Sequence, residues 1–326
     1  MSIITARSVT KKYLIAEKNP GIKNTFKHFF SRRMSEIMAV DQIDFDINQG
    51  EMVGFIGSNG AGKTTTLKML CGLIYPTNGS IQVAGYTPVL RQKQFLRQIT
   101  LVMGQKQQLI WDLPPLESIK VNAAIYGLTD REATKRIDEL ASMLELNTEL
   151  SRPVRKLSLG ERMKAELLVA LLHRPSILFL DEPTLGLDIN SQIRVRKFLA
   201  EYNNKYEATI LLTSHYMGDI TSLCKRVLLI HNGTLFHDGT LNDLTDKLSP
   251  SRYVQIELRE SYPKSNFEVF GTVVVHDGCL VKVLIPKAEF SETLSLILTT
   301  YPVKDLEVSE PPIEQLIGNI LKQGSL

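Results

Sequence analysis

The chain has 326 residues, 43% apolar and 22% charged, a length suited to two domains and a composition ordinary for a globular protein whose core needs no covalent staples. A formal net charge of +3 creates no global field selecting nucleic acid, so no nucleic-acid partner is expected. Cys71, Cys224 and Cys279 are odd in number and lack metal-site spacing, which excludes a disulfide framework and reads as buried thiols in a reducing compartment.

Residues Met1 to Arg7 lack the pattern of a secretory leader. No apolar run approaches the roughly eighteen residues of a membrane span, so work at a membrane would take its spans from another chain.

In chain order, residues 1–243 alternate short apolar runs with helical patterns, which predicts an α/β domain with a largely parallel sheet. Between Tyr13 and Val40 lies an inserted segment, about residues 16–38, in which Ile22, Phe26, Phe29 and Phe30 share one helical face. Lys23, Lys27, His28, Arg32 and Arg33 supply a basic remainder. Such a helix can lie on a membrane, dock on a partner or pack on its own domain, and the sequence leaves these open. Met52–Ile56, Ile177–Leu180 and Ile210–Thr213 are continuous apolar or β-branched runs, as strands buried on both faces require. Val227–Ile230 and Thr234–Phe236 flank Asn232-Gly233, a hairpin signal that adds an antiparallel pair.

Polar residues 244–252 read as a linker. Residues 253–326 predict a small α+β domain, with strands at Tyr253–Leu258, Thr272–Val275 and Leu280–Ile285. Phe290, Leu294, Ile297 and Leu298 have helical spacing, as do Ile313, Leu316, Ile317, Ile320 and Leu321. Each motif described below occurs once, so there is no tandem repeat.

Directly after the Met52–Ile56 run comes Gly57-Ser58-Asn59-Gly60-Ala61-Gly62-Lys63-Thr64, with Thr65 next and a helical pattern through Leu67, Leu70, Cys71, Leu73 and Ile74. This is a P-loop in its required strand–loop–helix context. Its glycines let backbone N–H groups and a helix N-terminus face phosphate; Lys63 should reach the β- and γ-phosphates, and Thr64 should ligate Mg²⁺. The apolar run Ile177–Leu180 delivers Asp181 and Glu182 to a strand end. Adjacent carboxylates with different neighbours can divide the work, Asp181 holding metal and Glu182 polarising the attacking water.

A P-loop alone also allows a kinase, a GTPase or a helicase. Asn204-Lys205-Tyr206-Glu207 comes nearest to a guanine reader, but has Glu where Asp belongs and falls within a helical stretch. Leu157-Ser158-Leu159-Gly160-Glu161 decides the matter, opening the helical stretch Met163 to His173. Taken alone it is a helix N-cap with a capping residue. After a P-loop it resembles the signature of ABC ATPases, usually Leu-Ser-Gly-Gly-Gln, with departures at Leu159 and Glu161.

The resemblance covers residues 1–240 and implies a P-loop cassette with a mainly parallel core, an antiparallel β part and a helical signature subdomain. It implies that the Ser158 hydroxyl and the Gly160 N–H contact the γ-phosphate bound on a second subunit. Gln105, with Gln107 and Gln108 as alternatives, matches the Q-loop glutamine that senses Mg²⁺ and the γ-phosphate. Asp188, in Gly186-Leu187-Asp188, matches the D-loop at the dimer interface, and His215 the switch histidine. Tyr13 matches the adenine-stacking aromatic, with a core tyrosine as the other reading.

The expected protein is therefore an ATP-hydrolysing, Mg²⁺-dependent ABC transporter subunit. One P-loop with one signature requires a dimer, most simply a head-to-tail homodimer sharing two ATP. The absence of a long heptad insertion between Gln105 and Ser158 excludes the chromosome-maintenance and repair ATPases. The short appendix, the segment after Tyr13 and the stretch Gly104 to Pro114 resemble bacterial exporters of the drug and polysaccharide class. These bind separate permease subunits from the cytoplasmic side of the inner membrane. An importer subunit, or a soluble ABC ATPase that remodels a complex, is the alternative.

Overall fold

The computed structural model describes residues 2–16, 34–104, 108–214, 216–311 and 316, and the chain divides into two compact units, Met1–Gly239 and Thr240–Leu326. The first unit runs β1 (Ser2–Ala16), β2 (Met34–Asn48), β3 (Met52–Ile56), α1 (Lys63–Leu70), β4 (Asn78–Val83), α2 (Lys93–Leu96), β5 (Ile99–Met103), α3 (Pro115–Tyr126), α4 (Asp130–Leu144) and α5 (Leu159–Leu171). It continues with β6 (Ile177–Asp181), α6 (Ile189–Tyr206), β7 (Thr209–Thr213), α7 (Met217–Leu223), β8 (Arg226–His231) and β9 (Thr234–Thr240).

A six-stranded sheet has the order β5-β6-β7-β3-β8-β9, and its ladders from β5 to β8 are all parallel. Ile177, Leu178, Phe179 and Leu180 are wholly buried, which explains their unbroken apolar run. Since β3 pairs with both β7 and β8, the loop leaving its carboxyl end lies mid-sheet, where open α/β sheets bind ligands. Asn232 and Gly233 join β8 to β9 at φ 48° and 83°, the left-handed pair that a two-residue hairpin demands.

The second sheet of this unit, β2-β1-β4, is antiparallel. Its inner face, including Ile4, Val9, Ile43 and Phe45, closes one core with Phe55, Leu67 and Met69. Tyr13, Leu14, Ile15 and Ala16 pair in register with Ile37, Glu36, Ser35 and Met34. The two ends of the segment expected at 16–38 are therefore strand, because the ladder simply continues. Ile22, Phe26, Phe29, Phe30 and their basic neighbours lie outside the described residues.

The helices α3, α4 and α5 form the expected helical region. Thr129 and Glu132 cap α4 reciprocally, and Ala133, Ile137, Leu140, Ala141 and Leu144 make its buried stripe. Helix α5 starts at Leu159, ahead of the expected Met163, and every residue from Met163 to Leu171 is buried. Glu139 on α4 accepts from Arg174 Nη2 at 2.6 Å and pairs with Lys205 of α6.

The second unit runs α8 (Leu241–Leu248), β10 (Ser251–Leu258), α9 (Ser265–Glu268), β11 (Thr272–Asp277), β12 (Leu280–Pro286), α10 (Phe290–Thr300) and β13 (Val303–Ser309). Its antiparallel sheet has the order β11-β12-β10-β13. Val254, Ile256, Val281, Val283 and Ile285 pack there against Phe267 and Ile297. Most of residues 244–252 is not a linker: all but Ser249 and Pro250 belong to α8 or the start of β10. The helix forms because the Thr240 hydroxyl accepts from Asp243 N at 3.1 Å while the Asp243 carboxylate accepts from Thr240 N at 3.2 Å. Leu316 is helical and buried; Ile313, Ile317, Ile320 and Leu321 lie outside the described residues.

The hydrogen bond from Lys205, reinforced by Tyr206 and Arg174, holds the Glu139 carboxyl down from its ordinary value of 4.5 to about 2. A depressed folded-state pKa stabilises only where the unfolded carboxylate is ionised. Glu139→Gln is therefore expected to melt earlier than the parent at pH 7, with the deficit narrowing as pH falls from 4.5 toward about 2 in paired thermal scans.

Candidate functional site

The loop between β3 and α1 wraps closely on its surroundings. A Cβ on Gly57 would meet Ile230 O at 2.3 Å, and one on Gly62 would meet Ala39 O at 2.4 Å. Gly62 has φ 111° at the N-cap of α1, a backbone open to glycine. The hairpin braces the loop from behind, with Gly233 N donating to Ala61 O at 3.1 Å and Asp41 N to Gly233 O at 2.8 Å.

Lys63 is only 6% exposed. Its Nζ donates to the carbonyls of Gly57 and Ser58 at 2.7 and 2.9 Å. Burial lowers its pKa, opposed by the charges of Glu182 and Asp181. A buried ammonium held by neutral carbonyls in a loop of tightly wrapped backbone fits a phosphate ligand.

The Asp181 carboxylate is fixed from two sides, accepting from Thr64 Oγ1 at 2.9 Å and from Thr213 Oγ1 at 2.7 Å. Hydroxyl and carboxylate are hard oxygen donors, and together they fit Mg²⁺. Glu182 has φ 56°, and its N–H donates to Thr213 O at 3.1 Å and Thr213 Oγ1 at 3.1 Å. Left-handed backbone at a non-glycine residue costs on the order of 1–3 kcal/mol and is held here by the neighbouring strand. Thr64, Lys68, Met103, Gly104, Asp181, Glu182 and Leu185 line a cavity of about 260 Å³. A larger cavity of about 790 Å³ at the opposite strand ends, lined by Glu51, Asn203 and Arg226, contains none of the motifs.

A second group gathers around the start of α5. Ser158 caps this helix: its hydroxyl accepts from Glu161 N at 3.2 Å and its N–H donates to the Glu161 carboxylate at 2.8 Å. That backbone hydrogen bond keeps the Glu161 carboxyl below its ordinary range. Asp188 caps α6 through Ser191 N at 3.0 Å and accepts from Ser191 Oγ at 2.6 Å. A Cβ on Gly160 would meet Ser191 Oγ at 2.1 Å, so Gly160 is the residue that lets the two helix starts meet.

Tyr13 pairs with Ile37 two residues short of Ala39, whose carbonyl abuts Gly62, and Lys11 Nζ lies 5.1 Å from its ring. Gln105 and Gln107 lie outside the described residues, as does His215. Gln108 N and Leu109 N donate to the buried Glu166 carboxylate of α5 at 2.9 and 3.2 Å. Sequence reasoning missed Thr213 and Glu166. Thr213 immediately precedes Ser214 at a strand end and Glu166 is an acid within an apolar helix, and those were the available signals.

Residues 40–185 match the family described as ABC transporter, and residues 250–309 match the EvrA-like ABC transporter C-terminal domain. The chain is 34% identical over 215 residues to the ABC transporter ATP-binding protein NatA of Bacillus subtilis, covering 66% of this chain and 87% of that protein. It is 32% identical over 247 residues to the bacitracin transport ATP-binding protein BcrA of Bacillus licheniformis, covering 74% and 79%. A solved ATP-binding subunit of an ABC transporter superposes with a TM-score of 0.61 at 26% identity, covering 76% of this chain and 93% of that one. The chain belongs to the ABC transporter ATP-binding proteins. It is an ATP-binding, ATP-hydrolysing subunit of such a transporter.

Steric closeness separates the loop glycines. Gly57→Ala and Gly62→Ala are expected to weaken ATP binding at least about tenfold, whereas Gly60→Ala, whose methyl meets nothing within 4 Å and carries only the strain of φ 81°, weakens it less in a fluorescent-nucleotide titration.

Proposed function

We propose that this subunit powers export through separate permease chains and that two copies close head-to-tail over two Mg·ATP. The observation that carries the catalytic reading is the buried Lys63 ammonium facing the Asp181–Glu182 strand end. Lys63 and the N–H groups of Gly60 to Thr65, with Ser58 and Asn59 in the same loop, hold the β- and γ-phosphates. Thr64 and Asp181 hold Mg²⁺, assisted by Gln105, and when bound the metal neutralises developing charge on the phosphate oxygens. Glu182 orients water for in-line attack, and His215 donates toward the γ-phosphate. Tyr13 stacks on adenine, a role supported by its place beside the strand residues that touch Gly62.

Ser158 and Gly160 act on the ATP of the partner subunit, with Asp188 at the same interface. Support comes from the helix N-terminus that they form, a ready anion site. The direction of transport is supported by relatives named for bacitracin transport and linearmycin resistance. Among the described residues no helix is long and apolar enough to cross a membrane, so the permease supplies the spans. The subunit then works on the cytoplasmic face of the inner membrane.

The permease docks on α3 and the segment entering it, where Ile110, Trp111, Leu113, Val121 and Ile125 are 41–70% exposed. Glu166 ties Gln108 and Leu109 to the buried helix α5, so movement near the nucleotide reaches this surface through rigid contacts.

Glu182→Gln should keep ATP binding within about twofold, lower turnover by about 10²–10⁴ and trap an ATP-dependent dimer in gel filtration. Near-normal hydrolysis would remove Glu182 from this role. Ile125→Glu should reduce co-purification of the permease while leaving nucleotide affinity unchanged; full retention of the permease would exclude α3 as its docking site.

A further inference from the structure

Asp219, in the first turn of α7, is completely buried. Both carboxylate oxygens are occupied by side chains. Oδ1 accepts from Arg196 Nε of α6 at 2.8 Å. Oδ2 accepts from Ser214 Oγ at 2.6 Å and forms a short hydrogen bond with Thr184 Oγ1. An acid at the start of a helix ordinarily serves the helix's own N–H groups, but these partners come from three separate segments.

Each partner is adjacent or linked by hydrogen bonds to a segment that carries a residue assigned to the reaction. Thr184, itself buried, stands two residues after Glu182, in the turn where Leu185 N donates to Glu182 O at 3.2 Å. Ser214 stands immediately before His215, and its oxygen also accepts from Tyr216 N at 3.0 Å, so its hydroxyl ties down both neighbours of that histidine. Arg196 Nη2 donates to Gln192 Oε1 at 3.1 Å, and Gln192 Nε2 donates to Leu187 O at 3.2 Å, one residue before Asp188. One buried carboxylate thus joins the turn after Glu182, residues Ser214 and Tyr216, and, through Arg196 and Gln192, the residue before Asp188.

We propose that Asp219 is a positioning residue for ATP hydrolysis, fixing the segments that carry Glu182, His215 and Asp188 in mutual register through Thr184, Ser214 and Arg196. Its role is to hold other groups in place, since its carboxylate is engaged by side chains. The proposal rests on the reading of Glu182 and His215 given above. A charge fully removed from water persists only with every partner in place, so the three segments hold their arrangement jointly.

The test compares full-length Asp219→Asn, Thr184→Val, Thr184→Ser, Ser214→Ala and Glu182→Gln with the parent. Turnover, affinity for a non-hydrolysable ATP analogue and melting temperature are measured for each. Asp219→Asn is expected to lower kcat at least about tenfold with nucleotide affinity held within about threefold, a split that simple loss of folded protein does not produce. Thr184→Val should lose kcat in the same direction, and Thr184→Ser, which keeps the hydroxyl, should restore most of it. Combining Thr184→Val with Asp219→Asn should add less than about twofold, as members of one network do.

Parent-like kcat in Asp219→Asn, or kcat and affinity falling together with the folded fraction, overturns the proposal. If Asp219→Asn does not fold, unchanged kcat in both Thr184→Val and Ser214→Ala overturns it equally. Glu182→Gln separates the two levels. Near-normal turnover there removes the site reading and this proposal with it. An inactive Glu182→Gln beside a parent-like Asp219→Asn removes only the positioning role.

Discussion

The first unit is organised around one electrostatic constraint, an ammonium group buried at the carboxyl end of a parallel sheet. Removing a charge from water costs several kcal/mol in a real protein interior. The Gly57 and Ser58 carbonyls give Lys63 hydrogen bonds but no opposite charge. Asp181 and Glu182 supply a counter-field, yet the lysine's pKa is still lowered, so desolvation outweighs it. A polyphosphate supplies the missing charge, and a ligand that binds only the folded form stabilises it. The geometry follows from this: β3 must be central, its loop must turn back over its own carbonyls, and Gly57 and Gly62 must pass within reach of Ile230 and Ala39.

What was legible in the sequence was what local spacing controls. The P-loop could be read because glycine positions, strand and helix are contiguous, and β6 because a doubly buried parallel strand cannot alternate. The polar clusters were invisible for the opposite reason. Asp181 meets Thr213 across 32 residues and Thr184 meets Asp219 across 35, and no periodicity links them. Polar composition at 244–252 suggested a linker although the capping pair Thr240 and Asp243 stood just before it. The strand β13 escaped because a register irregularity lies between its pairings with Glu257 and Leu258, which breaks the alternation of Val303 and Leu306. Met34 and Met38 fit either a helical i,i+4 pair or alternate strand positions; cross-strand pairing selects the strand.

Within one chain the residues gather in two places. Thr64 and Thr213 both donate to Asp181, while Ser158 pairs with Glu161 and Asp188 with Ser191 at the two neighbouring helix starts. Around the second set, Leu159, Ile189 and Ile193 are 47%, 73% and 52% exposed. Apolar side chains exposed beside a helix N-terminus suit a surface that closes on another subunit, where they would be buried.

The departures from the usual signature have local explanations. Leu159 would contact a Cβ on Gly186 at 3.4 Å, and Gly186 has φ 75°, so the side chain at one loop meets a glycine at the other. Glu161 completes the capping box through its hydrogen bond from Ser158 N, which glutamine can also accept, but it adds a negative charge. Arg152 Nη1, 3.9 Å away, partly offsets that charge. The Ser158 oxygen accepts from its own helix, and the Glu161 carboxylate in turn engages both the backbone N–H and the hydroxyl of Ser158. The box therefore fixes the start of the helix. The Glu161 carboxylate, ionised within the first turn, opposes the attraction that a helix N-terminus exerts on an anion, so the fixed helix start and the added charge act in opposite senses there.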